Sequence, residues 1–227
     1  MNHVAVVPFA RPARQAHVQA LIDANPAVQF VVAANGRGNG VGFRGAIVLS
    51  SRESAGAARN VGVEWALAHG VDTLSFLDDD DYYGPDYLAE AQLALESADV
   101  VHKGIGFVRL PDGLHLFDSR RGYRMLLGNS ISARVATCPL FSERSSGEEM
   151  AFTLEARRRG LREAVLPPFG FVYDRSQIGH AYVCSPVQFL RAHGPAAFLG
   201  DLPDSVVDLI ERPSDAAVFN DLEARAN

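Results

Sequence analysis

The chain has 227 residues, 48% of them hydrophobic and 21% charged, with a mean hydropathy of +0.01; this excludes disorder throughout and allows one large domain or two closely joined halves. Twenty-one basic against 27 acidic side chains give a net charge of -6, so broad counterion-release binding to nucleic acid is not indicated. The basic set contains one lysine, Lys103, which removes most Schiff-base and Walker-type lysine chemistry. Cys138 and Cys184 form no close pair, as expected in a reducing compartment and against a zinc knuckle or a disulfide framework. With no basic-then-apolar leader and no run approaching about 18 apolar residues, the expectation is a soluble cytoplasmic protein with no membrane partner.

In chain order, Val4–Val7 is a β-branched strand closed by Pro8, and Arg11–Asn25 carries Val18, Leu21 and Ile22 at helical spacing. Val28–Ala33 is a second strand, Asn35–Gly45 a glycine-rich loop and Ala46–Leu49 a third strand. Ser54 is placed to cap a helix running to about His69, ended by Gly70, and Thr73–Leu77 is a fourth strand that stops at consecutive aspartates. A helix after Gly84 and Pro85 reaches about Ser97. Pro111-Asp112-Gly113 marks the turn of a hairpin between Phe107–Leu110 and Leu114–Phe117. Ser145–Gly160 reads as a helix with acid in its first turn and Arg157, Arg158 and Arg159 in its last. The final stretch, 185–227, is expected to be helical. This alternation predicts an α/β sandwich around a mostly parallel sheet.

The residues richest in chemistry are Asp78, Asp79, Asp80 and Asp81, at the carboxyl end of the fourth strand. Four adjacent carboxylates repel one another unless a cation holds them, and ligands of open α/β sheets bind beyond the carboxyl ends of strands. In an extended backbone Asp78 and Asp80 converge, while Asp79 and Asp81 face elsewhere. A solvated acidic turn is the alternative that composition allows.

Ala55-Gly56-Ala57-Ala58-Arg59-Asn60-Val61-Gly62, followed by Phe76-Leu77-Asp78-Asp79-Asp80-Asp81, resembles the corresponding stretch of family 2 glycosyltransferases of GT-A fold. Val4–Phe9 and Val31–Gly36 resemble that family's first two strands. Gly147-Glu148-Glu149 is similar to its Gly-Glu-Asp motif, and Phe171–Arg175 with His180 to its closing segment. The resemblance covers residues 4 to 182 and implies a single GT-A catalytic domain over 1–184. Its nucleotide-binding half is 1–82 and its acceptor half 83–184, with 185–227 packed on it as a helical extension.

What the resemblance implies is metal-dependent, inverting transfer of a sugar from a nucleoside-diphosphate donor, UDP-sugar favoured, to an acceptor hydroxyl. Asp78, Asp80 and His180 would hold Mn²⁺ or Mg²⁺, with Asp81 and Arg175 nearby. Glu149, or Glu148 beside it, would act as base. Donor contacts fall to Pro8, Phe9, Ala10, Arg11, Asn35, Gly36, Arg59, Asn60, Asp78, Asp79, Gly128 and Asn129. Asn35 stands where the family often has an acid, Glu149 where it has Asp, and Ala10 where it has a polar residue. The acceptor is left open among a saccharide, a protein and a hydroxymethylated nucleic-acid base. A nucleotidyltransferase and a catalytically silent nucleotide-sugar-binding protein are the other readings.

Two further features are read as structural. Gly40-Val41-Gly42-Phe43-Arg44-Gly45 matches a dinucleotide fingerprint by letter but precedes a strand where the motif needs a helix. Trp65, at helical spacing with Val61 and Ala68, reads as core. Arg120, Arg121 and Arg124 are a solvated run or an anion contact.

Overall fold

The computed structural model describes residues 1–52, 54–111, 113–119, 126–143, 147–175 and 196–200, the last five by their backbone. In chain order the elements are β1 (His3–Phe9), α1 (Gln15–Ala24), β2 (Gln29–Ala34), β3 (Ala46–Ser50), α2 (Ala55–Ala68), β4 (Thr73–Phe76), β5 (Tyr82–Tyr83) and α3 (Tyr87–Ala94). There follow β6 (Val100–His102), β7 (Ile105–Leu110), β8 (Gly113–Asp118), β9 (Ser132–Arg134), α4 (Glu148–Arg158), β10 (Glu163–Val165), β11 (Phe171–Asp174) and β12 (Ala196–Gly200). They divide between two compact units: Met1–Asp80, Leu88–His102 and Leu126–Ala164 in the first, and Asp81–Tyr87, Lys103–Met125 and Val165–Asn227 in the second.

The first unit is built on a sheet of order β10-β6-β9-β4-β1-β2-β3. β4, β1, β2 and β3 run parallel, and β9 is antiparallel to both β4 and β6. β1 and β2 are almost wholly apolar, as strands covered on both faces must be. Val4, Val6, Val31, Leu74 and Phe76 join Val63 and Ala66 of α2 and Phe152 of α4 in one core. Phe76 meets Phe141 edge-on, ring centroids 4.8 Å apart. The α2 helix lies close on β1 because position 62 is glycine: a Cβ there would stand 2.3 Å from Val6 Cγ1. At its start, Ser54 caps it as its sequence position predicts, its side chain accepting from Ala57 N at 3.0 Å.

β1 runs through Pro8 to Phe9, two residues beyond the predicted end. The reason lies in its pairing. Val6 O accepts from Leu77 N, so Val6 and, two residues on, Pro8 face β4, whose register stops at Phe76 opposite Val6. The N–H that proline lacks therefore has no partner to lose. The predicted helix over Arg11–Asn25 divides into a 3₁₀ turn at Pro12–Arg14 and α1. The fingerprint at Gly40–Gly45 leads into β3, as its context predicts, and Trp65 packs against the core.

The second unit carries a sheet of order β12-β8-β7-β11-β5. Its β7–β8 hairpin is the predicted one, with Leu110 opposite Gly113 across the turn. Lys103 is fully buried; its ammonium donates to Pro167 O and, at 2.7 Å, to Phe169 O, and lies 5.4 Å from the Tyr87 ring centroid. Residues 196–200 correct the helical expectation for 185–227: Ala196–Gly200 form β12, antiparallel to β8. The open edge of β8 pairs with this segment, with a register shift between Phe198 and Gly200, and that tertiary pairing overrides local helix propensity. The rest of 185–227, with Arg120, Arg121, Arg124 and Cys184, lies outside the described residues. Among the described residues no helix is long and apolar enough to cross a membrane.

One buried polar chain crosses the first sheet. His3 Nδ1 is 2.9 Å from Thr73 Oγ1 and its Nε2 3.1 Å from Ser75 Oγ, which lies 2.6 Å from Ser132 Oγ. Burial lowers the His3 pKa from 6.5 to about 4, because the interior disfavours the charged ring. Between these two values the unfolded chain binds a proton that the folded one does not. This contribution to stability is therefore complete above pH 6.5, declines as the pH falls towards 4, and is flat below. Denaturant titrations of wild type and His3→Gln across pH 4 to 7 should differ by a pH-dependent term reaching about 3 kcal/mol.

Candidate active site

β4 delivers the chain to the acidic segment and then releases it. Extended geometry ends at Phe76, and residues 79 and 80 form a turn, so alternation of side chains no longer holds from Asp78 onward. Asp78, Asp80 and Asp81 each bring a carboxylate oxygen within 4.8 Å of the other two. The expected convergence of Asp78 and Asp80 is observed, and Asp79 is outside the trio. Asp81, expected to face elsewhere, belongs to it; the correction follows from the turn, which replaces the two-residue period of a strand.

Within the first unit, Arg59 organises the candidate site. It stands on α2 with 2% of its surface exposed. Nη2 donates to Asp78 Oδ1 at 2.7 Å and Nη1 to Glu148 Oε1 at 3.4 Å; the guanidinium carbon is 5.2 Å from the centroid of the Phe141 ring. Burial opposes its charge, but the acids at Asp78, Glu149 and Glu148 outweigh that and hold its pKa above the ordinary arginine value. Asn60, beside it, turns both ends of its amide to Phe141: Nδ2 donates to Phe141 O at 2.9 Å, and Phe141 N donates to Oδ1 at 2.8 Å. Arg59-Asn60 thus fixes the acids and the aromatic ring together.

Glu148 and Glu149 open α4, where the helix dipole favours acid. Burial raises the pKa of Glu149; Glu148's charge adds to this, and Arg59 opposes it. The turn Gly128–Ser130 closes against this glutamate. A Cβ at Gly128 would lie 2.5 Å from Glu149 Cγ and 3.2 Å from Arg59 Nη1, so any other residue there would displace these side chains. Thr153 pins the same segment: its Oγ1 accepts from Leu126 N at 3.0 Å and donates to Glu149 O at 2.7 Å. Asn129, in the same turn as Gly128, is buried.

The carboxyl ends of β1 and β2 bring the other expected donor residues together. Phe9 O accepts from Asn35 N at 2.9 Å, and the Phe9 ring meets Phe43 edge-on at 4.9 Å. Pro8 is half-buried, whereas Ala10 and Gly36 are exposed. Asn35 is buried, yet its Oδ1 accepts no hydrogen bond among the described residues. Such an acceptor invites a donor from a ligand. Arg11 turns to the acidic segment instead: Nη2 donates to Asp79 Oδ1 and lies 2.9 Å from Asp80 Oδ2, and Nε is 3.4 Å from Asp79 Oδ2. Burial raises the Asp79 pKa against the pull of Arg11.

In the second unit, Asp174 N donates to Asp81 Oδ1 at 2.9 Å. Arg175 lies over the Tyr173 ring, 4.6 Å from its centroid, and also donates to the Tyr173 hydroxyl. His180 lies outside the described residues. Sequence reasoning missed Phe141, Thr153 and Asp174. Thr153 had one signal, its place a helical turn after Glu149; Asp174 lay inside the resembling stretch Phe171–Arg175 without being singled out, and Phe141 had none.

An all-carboxylate set at this spacing fits a hard divalent cation such as Mg²⁺ or Mn²⁺. The acidic segment and the unbonded acceptor of Asn35 follow the carboxyl ends of β4 and β2, where parallel sheets place a ligand.

No protein-family model and no curated protein sequence matches the chain. Solved structures do. Residues 1–349 of S. aureus TarS are similar with a TM-score of 0.57 at 17% identity, over 77% of this chain and 60% of that one. In that match the chain spans 60% of the segment's length. The same segment in complex with UDP-GlcNAc gives 0.55 at 16%, over 92% and 70%. A protein described as a nucleotide-diphospho-sugar transferase, from Desulfovibrio desulfuricans G20, gives 0.50 at 12%, over 77% and 82%. The fold is accordingly GT-A, the α/β architecture of the nucleotide-diphospho-sugar transferases.

Because Arg59 is buried with three acids around it, Arg59→Met should leave them uncompensated. We expect it to destabilise the fold by about 3 kcal/mol, read as a lower denaturation midpoint in urea at pH 7.5. The loss should shrink as the pH is lowered and the carboxylates are protonated.

Proposed function

We propose that the protein is a glycosyltransferase that moves a sugar from a nucleoside-diphosphate donor, a UDP-sugar in the first instance, to an acceptor hydroxyl with inversion at the anomeric carbon. The observation that carries this reading is the Arg59 cluster, which ties the acidic segment after β4 to the glutamate pair opening α4. The GT-A fold supports it, as does the solved complex of TarS with UDP-GlcNAc. Residues 1–82 would serve the donor and 83–184 the acceptor, in the cytoplasm.

Asp78, Asp80 and Asp81 would hold Mn²⁺ or Mg²⁺, with His180 as a further ligand. When bound, such an ion supplies Lewis-acid stabilisation of the charge that develops on the diphosphate. Asn35 Oδ1 would accept from a base N–H, as the N3–H of uracil provides, and Gly36 and Phe9 flank it. Glu149 takes the proton of the acceptor hydroxyl as that oxygen bonds to the anomeric carbon and the bond from this carbon to the diphosphate oxygen breaks. Its raised pKa makes it a stronger base than an ordinary glutamate. Glu148, held by Arg59, keeps the first turn of α4 in place. The acceptor class, saccharide, protein or modified nucleic-acid base, is the part of the reaction that a screen must supply.

UDP with Mn²⁺ should raise the thermal midpoint of the wild type and not that of Asp80→Asn, since a ligand bound only by the native state stabilises it. No shift with any nucleoside diphosphate would refute the donor site. Sugar transfer, or the slower hydrolysis of donor by water, should fall by roughly 100-fold or more in Glu149→Gln. In the wild type, kcat/KM should decline as the pH drops through the raised pKa of Glu149, because the protonated acid cannot accept a proton; the variant should lack that acid limb.

A further inference from the structure

Arg11 occupies a place that its position in the sequence does not announce. It follows β1, and its Nη2 bridges two neighbouring carboxylates, Asp79 Oδ1 and Asp80 Oδ2. The two acids differ in what else they do. Asp79 is outside the carboxylate trio and faces Arg11 with both oxygens, so it tethers the guanidinium. Asp80 belongs to the trio and gives one oxygen to Arg11.

Exposure separates Arg11 from Arg59 as well. The Arg11 side chain is 32% exposed over carboxylates that are 5% and 7% exposed, whereas that of Arg59 is 2% exposed and is held by Glu148 as well as Asp78. Carboxylates so withdrawn from water need a positive charge beside them. Arg59 is built in; Arg11 has solvent to move into.

We propose that Arg11 is a resident countercation that stands in for a divalent ion at Asp80 and opposes its binding. When the ion enters, Arg11 gives up Asp80 and stays tethered through Asp79. The inference rests on reading Asp78, Asp80 and Asp81 as the cation site. Its physical basis is that Arg11 Nη2 and a divalent ion seek the same carboxylate, and the repulsion between them across one residue is not fully screened. The site should accordingly hold a divalent ion weakly on its own.

The test is Mn²⁺ binding without nucleotide, followed by the electron paramagnetic resonance of free aqueous Mn²⁺. Arg11→Gln should bind Mn²⁺ about tenfold more tightly than wild type, and Arg11→Lys, which keeps the charge, should stay within about threefold of wild type. Equal or weaker binding by a folded Arg11→Gln would overturn the proposal while leaving the cation site intact. If no protein binds Mn²⁺, alone or with UDP, the cation-site reading falls and this inference with it. Should Arg11→Gln fail to fold, the wild type decides: its Arg11 Nε–H resonance, assigned by its loss in Arg11→Lys, should move on titration with Mg²⁺, and a resonance that stays still would overturn the proposal.

Discussion

A guanidinium taken out of water among three carboxylates is the constraint on which the first unit's site depends. Arg59 could not be buried without Asp78, Glu148 and Glu149, and these acids could not be drawn together without Arg59. Such a cluster is not a cheap way to gain stability, since desolvation of the ions consumes most of their attraction. What it secures is position. The turn after β4 and the first turn of α4 are joined through one planar side chain that lies over the Phe141 ring.

The groups that meet this guanidinium are themselves held in place. Asn60 locks the main chain of Phe141 in both directions; glycine at 128 leaves out a Cβ that would press on Glu149; Thr153 ties the 126 segment to the helix that carries Glu149. Preorganisation of this kind lets charges act without reorganising at the moment of reaction. The same low-dielectric surroundings raise the pKa of Glu149, so the environment that fixes the glutamate also makes it basic.

The acidic segment shows the opposite economy at its outer side. Its carboxylates are compensated by Arg11, a side chain with access to solvent, where a fully buried partner would be hard to displace. One permanent and one yielding arginine on neighbouring aspartates divide the work: the first maintains geometry, the second neutralises charge.

Much of this was legible in the sequence because it depends on local rules. Apolar runs of β-branched residues gave the parallel strands, Ser54 gave the start of α2, Pro111-Asp112-Gly113 gave the hairpin, and the motifs around Arg59, Asp78–Asp81 and Glu148-Glu149 gave residues of the candidate site. Side-chain direction and partner choice were decided only by the tertiary structure. Asp81 joins Asp78 and Asp80 because β4 releases the chain before the aspartates, so the strand period predicted for them has no strand to act on. Pro8 remains in β1 because its neighbour has already ended, and Ala196–Gly200 are extended because an open strand edge was available to them. Sequence alone named the charged groups; only the fold, by choosing which of them lose water together, determined which would pair.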